Sequence, residues 1–284
     1  MSELGDLSIS SLFNVKGKIA LVTGGGTGIG KAIAASLAAN GAKVYIAARK
    51  ESLLKETTTE LNSRGPGKVE YIVANLGSKA GCDALIAEIK KREHKLHILV
   101  NNSGITWGAP YDDFPEAKGW DNVMAVNVKS IFYMTSGLTE LLAKDSNALD
   151  PAHVINISST SSVSGFAEGS LSAGGSGTWS YGISKAAVNH LTTTLAVKLS
   201  KRKIMVNAIL PGLFPTRMTA YGFKTLGDNI SRGQPTGRAG LPQDLAGIAL
   251  FLSSSASAHV TGAHIILDGG RALDSQSISP ATRL

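Results

Sequence analysis

The chain has 284 residues, 43% of them hydrophobic and 17% charged, which supports a packed core and excludes a disordered or fibrous class. Cys82 is the single cysteine, so an intrachain disulfide is excluded and a reducing compartment is expected. The net charge of +7 sits in short groups such as Lys90-Lys91-Arg92 and Lys201-Arg202-Lys203, without interleaved aromatics. That pattern argues against nucleic acid as a partner and fits attraction of a small phosphorylated ligand.

The start, Met1-Ser2-Glu3-Leu4-Gly5-Asp6, is acidic and has no apolar core of a secretory signal. No apolar run is long enough to span a bilayer, so no membrane partner is expected. One domain is expected over residues 1–284, because no linker divides the composition and no repeat appears. Residues 1–15 read as an N-terminal extension and 271–284 as a C-terminal tail.

The first apolar run, Ile19-Ala20-Leu21-Val22, leads into Thr23-Gly24-Gly25-Gly26-Thr27-Gly28-Ile29-Gly30 and then a helical pattern that stops at Gly41. Strand, glycine turn and helix in this order place backbone N–H groups where a pyrophosphate can rest. The spacing Gly24-x3-Gly28-x-Gly30 departs from the usual dinucleotide fingerprint. The second strand, Val44 to Ala48, meets Arg49 and Lys50 and no carboxylate. A cation at that point accommodates a ribose 2′-phosphate, whereas an acid would bond the 2′-hydroxyl, so NADP(H) is favoured.

A helix near Ser52–Ser63 precedes a third strand, Val69 to Ala74, and the loop Asn75-Leu76-Gly77. A further helix over Lys79–Arg92 leads to strand Leu96 to Val100 and the turn Asn101-Asn102-Ser103-Gly104. Helical patterns alternating with short apolar runs predict an α/β fold, a doubly wound parallel sheet with helices on both faces. The helix over Trp120–Leu142 carries Asn127 among apolar neighbours, and strand His153–Ile157 ends in Ser158-Ser159. Residues Thr160–Thr178, rich in Ser and Gly, read as a long mobile loop walling a site. Strand Ile204–Ile209 runs into Pro211-Gly212 and Thr216, and the segment with Tyr221, Phe223, Gly227, Gly233 and Gly237 reads as a flexible lid. Helix Pro242–Leu252 and strand His264–Leu267 close the pattern.

The centre of the chain is Tyr181, with Lys185 four residues later on a helix running to about Ser200. Four-residue spacing puts both on one helix face, where the ammonium can favour the phenolate and make Tyr181 a general acid/base. This helix, like the one carrying Asn127, holds almost no charge, so both faces are expected to be covered and a symmetric homo-oligomer, tetramer or dimer, is expected. The six histidines show no spacing of a catalytic metal site, and His94 and His97 are expected at the surface.

Taken together, these motifs resemble the short-chain dehydrogenase/reductase family from about Lys16 to Gly270. The resemblance implies a Rossmann-like sheet of seven strands and a tetrad of Asn127, Ser159, Tyr181 and Lys185. It also implies cofactor contacts from Gly24, Thr27, Gly28, Ile29, Gly30, Asn75, Leu76, Asn102, Ser103, Gly104, Pro211, Gly212 and Thr216, besides Arg49, Lys50, Tyr181 and Lys185. Tyr181 would donate a proton to a ketone oxygen that Ser159 also bonds, while NADPH supplies hydride. Lys185 would hold the nicotinamide ribose, and the backbone carbonyl of Asn127 a water. Asn75 stands where an Asp is frequent, Thr27 where a cation is frequent, and the loop before Tyr181 is longer than usual.

Asn102 to Gly108 and Pro215-Thr216-Arg217-Met218 look like 3-oxoacyl (β-ketoacyl) reductases of the rhamnolipid-associated type. Trp107, Phe166, Trp179, Phe214 and Tyr221 are the candidate pocket for an apolar ketone. The expectation is an NADPH-dependent carbonyl reductase, acting on a ketone or 3-oxoacyl group. Its rivals are a secondary alcohol or polyol dehydrogenase and a noncatalytic NADP-binding regulator. A cytoplasmic location is expected, with a peroxisomal alternative because Thr282-Arg283-Leu284 is similar to a Ser-Lys-Leu address.

Overall fold

The strands are apolar on both faces, and a strand of that kind must be covered on both sides. In a computed structural model, which describes residues 5–168, 174–227 and 234–273, this is what the chain does. Strands β1 (Ile19–Thr23), β2 (Lys43–Ala48), β3 (Lys68–Val73), β4 (Ile98–Asn101), β5 (Ala152–Ile157), β6 (Ile204–Pro211) and β7 (His264–Leu267) form one sheet in the order β3-β2-β1-β4-β5-β6-β7. All neighbours are parallel, and β5 and β6 are buried at every position. The order reverses between β1 and β4, which opens a crevice at the carboxyl ends of the strands.

Helices α2 (Gly28–Ala39), α3 (Glu51–Asn62) and α9 (Pro242–Leu252) cover one face. Ile33, Leu37, Leu54, Ala249 and Leu252 pack there against Val22, Ile46 and Ile98. Helices α4 (Lys79–Arg92), α6 (Ser130–Ala143) and α7 (Trp179–Leu199) cover the other, with Leu85, Met134, Leu138 and Leu195 on Leu21, Leu99 and Val206. The ends follow local signals. Ser78 caps α4 by accepting from Gly81 N at 3.2 Å, and Lys90, Lys91 and Arg92 occupy the last turn, where cations complement the dipole.

Four expectations change. The predicted helix from Trp120 starts at Glu116 and is not uniformly α: it winds as π over Glu116–Asp121, as α5 over Asn122–Met124 and as π again over Ala125–Lys129 before α6. The predicted lid contains an ordered helix, α8 (Ala220–Leu226), while Gly233 falls outside the described residues. The loop before Tyr181 is tied down in its described part, because Thr178 N donates to Ala167 O at 2.8 Å and Ala109 bridges Gly177. His97 is half-buried and not at the surface: its Nδ1 accepts from Ile19 N at 3.0 Å, while His94 is exposed.

The N-terminal extension is docked. It forms a short helix, α1 (Ile9–Leu12), whose Leu12 carbonyl accepts from Ser255 Oγ at 3.0 Å, and Phe13 lies 6.4 Å from Phe251 of α9. Residues 274–284, including Thr282-Arg283-Leu284, lie outside the described residues. No helix among the described residues is long and apolar enough to cross a membrane.

Candidate active site

The crevice is built from the ends of four strands. Thr23 closes β1, and its Oγ1 accepts from the backbone N–H groups of Asn102 at 3.0 Å and Ser103 at 3.1 Å. The Asn102 side chain donates to the carbonyls of Thr23 at 2.9 Å and Gly24 at 3.2 Å. Asn102 therefore braces the glycine turn from below, a structural role the sequence reading did not assign to it. Gly24 takes φ +66°, and a Cβ on Gly30 would run into the Asn102 amide and the Gly24 carbonyl. Only glycine fits a turn packed this closely, and the turn keeps its outer surface bare of side chains.

Beside that turn lies a cavity of about 600 Å³ lined by Thr27, Gly28, Lys31, Thr216, Arg217 and Phe223, among others. The Thr216 methyl stands 3.3 Å from where a Gly28 Cβ would be, so Thr216 closes over the turn. Pro211 ends β6 and Gly212 follows it, and Gly212 N donates to Leu267 O at 2.9 Å. Arg49 and Lys50 are exposed and make no ion pair among the described residues. Asn75 is exposed with Oδ1 accepting from Gly77 N at 3.2 Å, and Leu76 is buried.

On the other side of the crevice, Ser159 and Tyr181 come together. Ser159 Oγ accepts from Ser161 N at 3.1 Å, which orients it at the start of a short turn over Thr160–Ser162. Ser158 is turned away and donates to the Lys185 carbonyl at 3.0 Å, so of the two serines Ser159 is the one at the phenol. Burial raises the Tyr181 pKa above its ordinary value, and the hydrogen bond with Ser159 opposes that rise. Lys185 lies on the same helix face, with Nζ 5.7 Å from the Tyr181 ring centre.

The expected lowering of the phenol by Lys185 is not what this geometry gives. Lys185 Nζ donates to Ile157 O at 2.8 Å and is itself held by burial at a pKa of about 8. For the phenol, burial outweighs the Ser159 hydrogen bond, so its pKa lies above the ordinary value. Asn127 is fully buried and satisfied: Oδ1 accepts from Ile105 N at 2.9 Å, and Nδ2 donates to Ile105 O at 2.9 Å and Ser184 Oγ at 3.0 Å. The π-wound stretch is centred on Asn127, a winding often found at functional sites.

Among the described residues the five aromatic candidates take different positions. Phe166 is 66% exposed and Tyr221 52% exposed, each on the outside of its segment. Phe214 is buried against Gly240, so it packs the core instead of facing a ligand. The Trp179 Nε1 donates to Ala109 O at 3.1 Å, and Trp107 lies near Gly119. Two contributors escaped the sequence reading. Lys31 reaches the cavity from α2 and pairs with Glu60, and Ser184 links Asn127 to the Tyr181 carbonyl, to which it donates at 2.7 Å. The polar residue directly before Lys185 was the available signal for the second. Among the described residues no group of three or more His, Cys, Asp and Glu could hold a metal ion.

Comparison with known proteins agrees with this arrangement. A family model described as enoyl-(acyl carrier protein) reductase matches residues 24–272. The chain is 40% identical to the rhamnolipids biosynthesis 3-oxoacyl-[acyl-carrier-protein] reductase of Pseudomonas aeruginosa, over 91% of this chain and 97% of that one. It is 37% identical to the 2-dehydro-3-deoxy-D-gluconate 5-dehydrogenase of Dickeya dadantii, over 92% and 98%. The solved Pseudomonas aeruginosa RhlG/NADP active-site complex superposes with a TM-score of 0.84 at 39% identity, covering 92% of this chain and 98% of that one. The sheet, its switch point and these relatives together make the chain a member of the short-chain dehydrogenase/reductase family of oxidoreductases.

Proposed function

We propose that the chain is an NADPH-dependent carbonyl reductase that acts on a ketone, with 3-oxoacyl thioesters as its substrate class. The observation that carries this reading is the meeting of the Tyr181 phenol with Ser159 at the carboxyl edge, with Lys185 on the same helix face. A Cβ at Gly30 would fill the close-packed turn, and Arg49 and Lys50 after the end of β2 make no ion pair among the described residues, so these residues fit a 2′-phosphorylated dinucleotide. Gly24, Thr27, Gly28, Ile29 and Gly30 would hold its pyrophosphate, and Asn75 and Leu76 its adenine. Asn102, Ser103, Gly104, Pro211, Gly212 and Thr216 would hold the nicotinamide end. When bound, the reduced nicotinamide supplies hydride to the substrate carbon.

Tyr181, kept protonated by its raised pKa, gives its proton to the carbonyl oxygen. Ser159 donates a hydrogen bond to the same oxygen as charge develops there. Lys185 places a cation close to the phenol and replenishes its proton, with the backbone carbonyl of Asn127 holding the water that links Lys185 to solvent. The Pseudomonas relative, named for reduction of 3-oxoacyl groups on a carrier protein, and the NADP complex support the substrate and cofactor assignments.

Assembly as a homotetramer or dimer in the cytoplasm belongs to the same proposal. Ile183 and Val197 of α7 and Phe132 of α6 are 51%, 76% and 47% exposed, an apolar surface suited to a second subunit. The test is a panel of 3-oxoacyl thioesters, simple ketones and keto sugars, each with NADPH and NADH. Fastest turnover of a 3-oxoacyl thioester with NADPH is expected. A preference for a keto sugar with NADH would replace this reading with the polyol dehydrogenase one.

A further inference from the structure

A second concave site lies on the π-wound segment Glu116–Asp121, and neither the glycine turn nor Tyr181 contributes to it. It is a cavity of about 320 Å³ lined by Tyr111, Phe114, Glu116, Trp120 and Trp179. Four of these five residues are aromatic, the fifth is a carboxylate, and among the described residues no Lys or Arg lines it. Chain geometry explains the grouping. Glu116 and Trp120 are four apart, and the wide π turn brings both to the same opening.

The walls are fixed in place. Tyr111 and Trp179 meet with ring centres 5.1 Å apart at 67°, which makes a corner of two walls. The Trp179 indole is pinned by its bond to Ala109 O at 3.1 Å, and Phe114 rests on Gly119, where a Cβ would stand 2.8 Å from the ring. Ser180 in turn donates to the Gly119 carbonyl, tying the π segment to α7. Glu116 is exposed and makes no ion pair among the described residues, and Asp112 and Asp113 follow Tyr111 directly.

Aromatic faces carry negative quadrupolar potential, and a carboxylate adds to it, so this lining attracts a cation that is poorly hydrated and apolar on its outside. An inorganic cation would demand oxygen ligands that the rings do not supply. A neutral alkyl group would leave Glu116 unused. We infer that the Tyr111–Phe114–Glu116–Trp120–Trp179 cavity binds a small organic cation bearing an alkylated ammonium group.

The probe is choline, with 3,3-dimethylbutan-1-ol as its neutral isostere, followed by broadening of the methyl proton resonances in the presence of the full chain. Saturable broadening of choline is expected, with the isostere at least about fivefold weaker, as one cation–π contact of roughly 1 kcal/mol implies. Trp120→Ala and, as a milder surface change, Tyr111→Ala should abolish it, and Glu116→Gln should weaken it by about threefold or more. NADPH binding is measured alongside to confirm that each variant is folded. Equal response to the isostere, no saturable response in the wild type, or full binding by Glu116→Gln would each overturn the inference.

Discussion

At the amino ends of β1, β4 and β5 the protein buries Lys18 and His153 and half-buries His97, and at the carboxyl ends of the same strands it sets Thr23, Asn102 and Ser159. Both ends hold polar groups in a covered sheet, but they are used differently. At the amino end, Lys18 donates to Asp150 at 2.7 Å and to Ser253 O at 3.3 Å, closing the bottom of the sheet. His153 is fully buried and neither ring nitrogen has a partner among the described residues, and burial lowers its pKa to about 3 and that of His97 to about 4. Burial opposes ionisation of Asp150, yet the Lys18 ammonium keeps its carboxyl below the ordinary value. At the carboxyl end burial acts in the same direction on a cation and lowers the Lys185 pKa to about 8. A displaced pKa therefore records burial at either end of the sheet. The mark of the site is a set of hydroxyl and cationic groups facing the cleft beside a bare glycine turn.

The contrast can be broken at either end. Lys185→Met should lower ketone turnover by roughly 100-fold or more while thermal stability barely changes, since general acid/base groups contribute on that scale. A variant that turned over normally would remove Lys185 from the proton path. Asn127→Ala leaves Ile105 N, Ile105 O and Ser184 Oγ short of a buried partner, and should cost about 3 kcal/mol in a denaturant melt. A loss of activity without that loss of stability would make Asn127 a purely catalytic group.

Arg49→Asp should weaken NADPH binding by roughly 10- to 100-fold, the scale of a charge-assisted phosphate contact, and spare NADH. Equal weakening of both cofactors, read by nucleotide fluorescence, would move the 2′-phosphate contact elsewhere. The smallest effect belongs to the amino end. His153 and His97 are neutral in both folded and unfolded chains above pH 6.5, and below it only the unfolded chain takes up protons until the folded pKa values of about 3 and 4 are reached. Stability should thus fall as pH drops below about 6.5, and His153 alone should account for about 2 kcal/mol between there and pH 5. His153→Leu should flatten that slope without lowering activity at neutral pH. An unchanged slope would assign acid sensitivity to other groups.

The sheet was legible because its strands are apolar runs between glycine turns and amphipathic helices, and helices Lys79–Arg92 and Pro242–Leu252 and strand His264–Leu267 begin and end where the pattern places them. Tyr181 and Lys185 were legible from a four-residue spacing that only a helix turns into proximity. What escaped depends on contacts across the chain. His97 is written like a loop residue, and hydrogen bonds with the backbones of Ile19 and His153 carry it to the edge of the sheet. Phe214 is an aromatic in a cofactor-edge loop like Tyr221, and its neighbour Gly240 decides that it packs inward. The direction of the Tyr181 shift is hidden for a related reason, because spacing brings Lys185 near while the burial that raises the phenol depends on the rest of the chain.

The most direct test is Tyr181→Phe, assayed for reduction of a 3-oxoacyl thioester and, separately, for NADPH binding by fluorescence. Turnover should fall by roughly 10²- to 10⁴-fold with NADPH affinity within about threefold of wild type. Substantial turnover by the phenylalanine variant would contradict the placement of the proton donor at the carboxyl edge of β5.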